Sequence, residues 1–224
     1  MNSITMNLVF ILITYPFGGL LLGLLFWLLW IVGIIEIKGL KNLPLWGGKV
    51  LLVSNHPSLL EPVLLVALFV FQYALRPFRW GPWTMADNFN YVERWWPLSI
   101  PIKPKLLCID RTEGADNTDE TTKAFGILKK GGNVIIFAEG GRSWKGENHI
   151  WSDRGQFIRP LLPGFAVLAK TKGVRVLPVW FQRNGWWITV NIGEPMTFTA
   201  KQKREEITDK TQKVLLSLGD QVAW

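Results

Sequence analysis

The chain has 224 residues, 49% of them hydrophobic, with 13 tryptophans, a formal charge of +8 and a mean hydropathy of +0.19. Its single cysteine, Cys108, excludes an internal disulfide and any multi-cysteine metal site, and with only His56 and His149 a histidine-rich metal site is excluded too. Basic charge beside so much apolar sequence points to anionic lipid headgroups or a polyanionic substrate; nothing in the pattern is a nucleic-acid recognition motif.

Residues 1–35 carry no charged side chain, and 17–35 is long enough to span or nearly span a bilayer core. No basic n-region precedes it and no small-residue cleavage site follows, so the segment is expected to be retained rather than removed as a signal peptide. Tyr15-Pro16-Phe17-Gly18-Gly19 is expected to break the segment into a short helix, which would reach only about 18 Å, and a long apolar one. Two arrangements follow: a single span, or a helical hairpin dipping into one leaflet. Lys38, Lys41 and Lys49 come after the segment and nothing basic before it. The body is therefore expected on the cytoplasmic face, as at a bacterial inner membrane.

The composition changes near Glu36, dividing the chain into a membrane anchor over 1–37 and an α/β domain over 38–224. Val50–Ser54 reads as a buried strand, and 62–75 as a helix. Residues 76–101 read as irregular and aromatic, with Arg76, Arg79 and Arg94 among tryptophans, as suits either a surface on lipid headgroups or a packed loop. A strand over 105–110 and a helix over 116–130 follow, the helix acidic at its start, lysine-rich at its end and stopped by Gly131-Gly132. The continuous apolar run 133–138 predicts a strand covered on both faces. A helix over 165–172, strands over 174–181 and Trp187–Ile192, and an amphipathic helix over 203–218 complete the domain. Strands alternating with helices predict a mixed, mostly parallel sheet flanked by helices, with an N-terminal membrane-embedded helix or hairpin.

The polar stretches fall at strand ends, where sites gather in open α/β sheets. After the first strand of the domain comes Asn55-His56-Pro57-Ser58-Leu59-Leu60-Glu61-Pro62. In a regular helix residues five apart point about 140° away from each other, but a loop that turns helical only near Pro62 lets His56 and Glu61 meet. A histidine oriented by a carboxylate is a general base for taking a proton from an alcohol; a polar turn with an unengaged histidine would read the same. Phe137-Ala138-Glu139-Gly140-Gly141-Arg142-Ser143 ends another strand in a flexible charged turn. Its glycines permit close backbone approach, and its arginine can grip a phosphate bidentately. Asp110-Arg111 leaves a third strand, either as a local ion pair or as a second arginine at the same edge. Leu177-Pro178-Val179 is a strand with an inserted proline, which predicts a sheet edge or a bulge.

Taken together, Asn55-His56…Glu61, Ile109-Asp110-Arg111, the 137–143 turn and Val176-Leu177-Pro178-Val179 resemble, in order and spacing, the four blocks of the 1-acyl-glycerol-3-phosphate acyltransferase superfamily, and Gly193-Glu194-Pro195 resembles a late segment common there. The resemblance covers roughly 38–200. It implies acyl transfer from a thioester, acyl-CoA or acyl carrier protein, to the free hydroxyl of 1-acyl-glycerol-3-phosphate, giving phosphatidic acid, with no metal or cofactor. It also implies a lysophospholipid acceptor and a lipid bilayer as partners. His56 would be the base and Glu61 its orienting partner. Arg111, Glu139, Gly140 and Arg142 would hold the acceptor's phosphate, with Asn55, Gly141 and Ser143 beside them. The block containing Pro178 would shape the acyl pocket.

The chain departs from the family's pattern at Glu61, where an Asp is usual, and at Ala138 and Gly141, where Pro and Thr are usual. Ala86-Asp87-Asn88-Phe89 stands where a Lys-Lys-Glu-Leu-like stretch is common, with Lys103 and Lys105 as substitutes. These departures keep two other readings open: an acyltransferase for another lysolipid or glycolipid, and a non-catalytic, membrane-anchored lipid-binding scaffold.

Overall fold

The computed structural model describes residues 8–44, 47–58, 60–87, 105–110 and 117–222, with side chains from Gly18 onward, Tyr73 excepted. Helix α1 (Leu8–Ile31) ends in a tight turn that reverses the chain into β1 (Ile35–Lys38). The order then runs β2 (Val50–Ser54), α2 (Glu61–Ala67), α3 (Val70–Leu75), α4 (Pro77–Trp80), β3 (Trp83–Asp87), β4 (Leu106–Ile109), α5 (Thr118–Lys129) and β5 (Val134–Ile136). A hairpin of β6 (Ile150–Trp151) and β7 (Phe157–Ile158), α6 (Phe165–Ala169), β8 (Arg175–Asn184), β9 (Trp187–Ile192) and α7 (Arg204–Asp220) follow.

Seven strands form one sheet in the order β1-β9-β8-β2-β5-β3-β4. Every pairing is parallel except that of β8 with β9. The five strands β8, β2, β5, β3 and β4 therefore deliver their C-terminal ends to one edge. All five residues of β2 are buried, because helices cover both faces. Leu52 packs with Phe26 of α1 and with Leu65 and Phe69 on one face; Leu51 and Val53 pack with Leu128, Phe165 and Leu215 on the other.

Four expectations change. The chain does not break over 15–19: α1 runs through it as one helix from Leu8, the proline's lost hydrogen bond and ring clash, about 3 kcal/mol, being offset by packing of the long helix on α2 and α3; residues 1–7 lie outside the described residues. The single helix over 62–75 is two, α2 and α3, because the backbone leaves the helix at the junction: Phe69, at φ −90° and ψ 24°, donates its N–H to Val66 O at 3.1 Å, a three-residue turn in place of the helical four. The irregular region contains β3, an interior strand of the sheet, and its 88–101 portion lies outside the described residues. The boundary at residue 37 cuts β1, whose register with β9 pairs Ile35 with Ile188 and Lys38 with Asn191, so the α/β domain begins at the turn after α1.

Pro178 does not mark an edge. It lies in β8 between β2 and β9, opposite Val53. The carbonyl of Pro178 accepts a hydrogen bond from Gly193 N–H at 2.9 Å, and in a strand the nitrogen of the same residue faces the same neighbour. On that side the partner chain leaves the ladder after Ile192 and rejoins it only at Met196, opposite Val176. The missing N–H thus falls opposite a gap, and the irregularity that proline needs sits in its neighbour.

Helix α1 packs closely on α3: a Cβ at Gly23 would lie 2.4 Å from Cγ2 of Val70. Its other side leaves Leu21, Leu24, Leu25, Leu28 and Ile31 exposed, Leu24 by 65% and Ile31 by 72%. Among the residues whose side chains are described, no helix is long and apolar enough to cross a membrane; that part of α1 starts at Gly18.

Candidate active site

Beyond Ser54 the chain turns out of β2 and places His56 in the loop and Glu61 as the first residue of α2. Nδ1 of His56 lies 3.4 Å from Oε2 of Glu61, with the two residues 4% and 0% exposed. The other carboxylate oxygen, Oε1, accepts the backbone N–H of Ser58 in a short hydrogen bond, which fixes the carboxylate plane. The Phe137 ring lies 4.6 Å, centroid to centroid, from the imidazole at a 32° tilt. At 3.4 Å the two atoms are close but beyond a normal hydrogen bond, and contacts of this kind tighten in enzymes when substrate seats. With Nδ1 turned to the carboxylate, a neutral ring presents Nε2 as the proton acceptor.

The backbone of His56 is clasped by the 137–143 turn. Its N–H donates to Oε1 of Glu139 at 2.8 Å and to Oγ of Ser143 at 3.1 Å, and its carbonyl accepts Ser143 N–H at 2.9 Å. Ser143 Oγ–H donates to the same Glu139 oxygen at 2.7 Å, and the second oxygen accepts Arg159 N–H at 2.8 Å. Burial raises the pKa of Glu139, while the bonds from Arg159, Ser143 and His56 and the His56 charge work against that rise.

Several expected substrate contacts are therefore braces. Glu139 and Ser143 spend their polar atoms on the peptide of His56 and on Arg159, so neither faces a phosphate. Asn55 is a brace as well: its amide donates to Phe181 O at 2.9 Å and accepts Phe181 N–H at 2.7 Å, continuing the β2–β8 pairing past the point where the two backbones diverge. Pro178 is packed under Gly193, a residue whose Cβ would come 2.9 Å from the proline ring, and is removed from the acyl-pocket set. Lys105 is no substitute for a site lysine. It precedes β4, at the opposite edge of the sheet, and its Nζ donates to the carbonyls of Pro77 at 2.7 Å and Gly81 at 2.6 Å. Burial lowers its pKa from 10.5 to about 7.

Arg142 and both glycines remain at the site. The Arg142 guanidinium rests over the Trp144 ring at 5.1 Å. Gly140 has φ 66°, a left-handed conformation that glycine accommodates without strain, and a Cβ there would meet Leu162 at 2.6 Å. Gly141 is buried, and a Cβ there would come 2.2 Å from Nη1 of Arg159. Arg111 and Lys103 lie outside the described residues; Asp110, just before Arg111, exchanges hydrogen bonds with the Asn117 side chain, closing the 110–117 loop. Beside Phe137 a cavity of about 370 Å³ opens between the ends of β3, β4 and β5 and helix α6, lined by Met85, Ile109, Phe137, Leu162 and Phe165, with Asp110 among its polar groups.

Ser58, Phe137 and Arg159 are the site residues for which the sequence suggested no role. Ser58 acts through its backbone, which leaves no signal in residue type. Arg159 follows a short aromatic stretch and precedes a proline, and only the β6–β7 hairpin brings it back to the turn.

The family model of the acyltransferase family matches residues 34–182, which takes in β1 through most of β8. The chain belongs to the acyltransferase family. A chloroplastic 1-acyl-sn-glycerol-3-phosphate acyltransferase of Arabidopsis thaliana is 28% identical over 157 residues, 67% of this chain, which spans 36% of that relative's length. The crystal structure of the 1-acyl-sn-glycerophosphate acyltransferase PlsC of Thermotoga maritima superposes with a TM-score of 0.57 at 16% identity, covering 92% of this chain and 98% of that one. It shares the fold of this acyltransferase: a mixed, mostly parallel sheet flanked by helices.

Proposed function

We propose that this acyltransferase esterifies the free hydroxyl of 1-acyl-glycerol-3-phosphate with an acyl group from acyl-CoA or acyl carrier protein, yielding phosphatidic acid. The observation that carries this reading is the buried His56–Glu61 pair, 3.4 Å apart at the end of β2 and held by its own backbone clasp. Nε2 of His56 takes the hydroxyl proton as the oxygen attacks the thioester carbonyl. When the tetrahedral intermediate collapses, the C–S bond breaks and the imidazolium returns the proton to the thiolate. Because the thioester is already activated, a base and positioning suffice and no enzyme nucleophile is required. The relatives from Arabidopsis and Thermotoga, named for the same acceptor, support the choice of substrate. The apolar cavity beside Phe137 suits a fatty acyl chain, and Arg142 suits the phosphate, with Arg111 beside it as the family resemblance implies.

The exposed apolar side of α1 lies beside the exposed Phe71, Leu75 and Phe78 of α3 and α4, the helices it packs on, and adjoining exposed apolar side chains of this kind mark membrane or partner surfaces. This reading sets it against the bilayer, where both lipid substrates reside, with the α/β domain that begins after α1 as the catalytic part on the cytoplasmic side. The test uses purified protein in lipid nanodiscs, acyl-CoA or acyl carrier protein as donor, a panel of lyso-acceptors, and His56→Ala beside the wild type. Transfer to 1-acyl-glycerol-3-phosphate that disappears in the variant is expected. Undiminished transfer by His56→Ala would remove the base assignment, and transfer only to other acceptors would replace the substrate.

A further inference from the structure

An unassigned cation, Arg159, lies against the turn that braces His56. The Arg159 backbone shares the Glu139 carboxylate with the His56 backbone, one oxygen each, so the arginine starts within a carboxylate's width of the base's own loop. Its guanidinium reaches back across Gly141, occupying the place a side chain there would take. Gly141 does not adopt a left-handed backbone, so the guanidinium, and not chain geometry, is what excludes a Cβ at this position. Among the described residues neither Arg159 nor the adjacent Arg142 has a carboxylate partner for its guanidinium; Arg142 has only the Trp144 ring. Two half-buried arginines, neither with a carboxylate partner among the described residues, flank one glycine.

We propose that Arg159, admitted by the missing side chain of Gly141, forms with Arg142 a two-guanidinium clamp selective for a phosphate monoester on the acyl acceptor. The inference rests on the acceptor assignment made above and deepens it. A monoester phosphate carries close to two negative charges at neutral pH and offers three terminal oxygens, enough for two arginines, whereas a phosphodiester headgroup carries one charge and offers two. The hydroxyl that a threonine would supply at 141 is thus replaced by a full positive charge.

Two variants and two readouts test this. Arg159→Gln removes the charge. Gly141→Ala keeps Arg159 but pushes away the flexible end of its side chain, so the fold should survive with an unchanged melting temperature. In nanodiscs, each should raise KM for 1-acyl-glycerol-3-phosphate about 10- to 100-fold, the worth of one charge-assisted pair, with kcat within about twofold of wild type. The double variant should be no worse than Arg159→Gln alone, because both act on the same guanidinium. Separately, calorimetry with sn-glycerol 3-phosphate should show binding to wild type and its loss in both variants. Unchanged KM and unchanged binding in Arg159→Gln overturn the clamp while leaving the acyl-transfer reading intact. If wild type transfers to no phosphate-bearing acceptor yet binds glycerol 3-phosphate through Arg159, the acceptor assignment fails and the anion site stands.

Discussion

Replacing Glu61 with glutamine isolates what the carboxylate does for His56. The amide oxygen can still accept the Ser58 N–H, so the turn should hold. The change falls on the other side of the group, where the Oε2 facing Nδ1 at 3.4 Å becomes an NH2. That amide donates to Nδ1, which moves the ring proton to Nε2 and would abolish the proposed base. It also removes the negative charge opposite the imidazolium that the proposed transfer would form. For two unit charges at 3.4 Å in a site of effective dielectric near 20, that attraction is about 5 kcal/mol. At about 1.4 kcal/mol per tenfold, kcat should fall by between three and four decades, the range seen when an orienting carboxylate is neutralised in other histidine-based enzymes. The assay is kcat with a saturating thioester donor and lyso-acceptor, paired with nitrogen-15 NMR of the His56 ring to read the tautomer. A variant within tenfold of wild type, with Nε2 still unprotonated, would refute the orienting role of Glu61.

Asn55→Ala should leave the buried N–H and carbonyl of Phe181 without partners, at about 1–3 kcal/mol each, so a loss of about 2–6 kcal/mol is expected in chemical denaturation; less than 1 kcal/mol would mean the brace is dispensable. Lys105 makes stability depend on pH. Its folded pKa of about 7 lies below the ordinary 10.5, so between these values the unfolded chain holds the extra proton and stability rises with pH, by at most about 1.4 kcal/mol per unit. The carbonyls of Pro77 and Gly81 favour the ammonium form and shrink that slope. Melting wild type and Lys105→Met at pH 6, 7.5 and 9 should show the wild type gaining on the variant above pH 7; a constant difference would mean that the lysine stays charged.

Periodicity and punctuation in the sequence located most of the fold. β2 and β9 have the expected bounds, and α5 and α7 lie within two or three residues of theirs, because long buried strands and capped amphipathic helices repeat one environment over many residues. The strands β1, β3, β6 and β7 were not legible: two to five residues hold too few alternations to register, and β1 in addition pairs with a strand about 150 positions away. The His56–Glu61 pair could be read because both members lie in one turn, within six consecutive residues.

The division of labour around that pair could not be read. Asn55, Glu139 and Ser143 have the residue types of ligands, and which they serve as depends on which backbone groups come within hydrogen-bonding distance. Only the parallel placement of β2, β5 and β8 brings the peptides of His56 and Phe181 there. The same placement sets Arg159 over Gly141, eighteen positions away in sequence. Composition and local order thus determined most of the elements, the strand-end chemistry and the family resemblance. The tertiary structure alone decided which polar groups were consumed in holding the site together and which remained to meet a substrate, since a buried donor or acceptor is committed by its nearest partner and that partner is chosen by the fold.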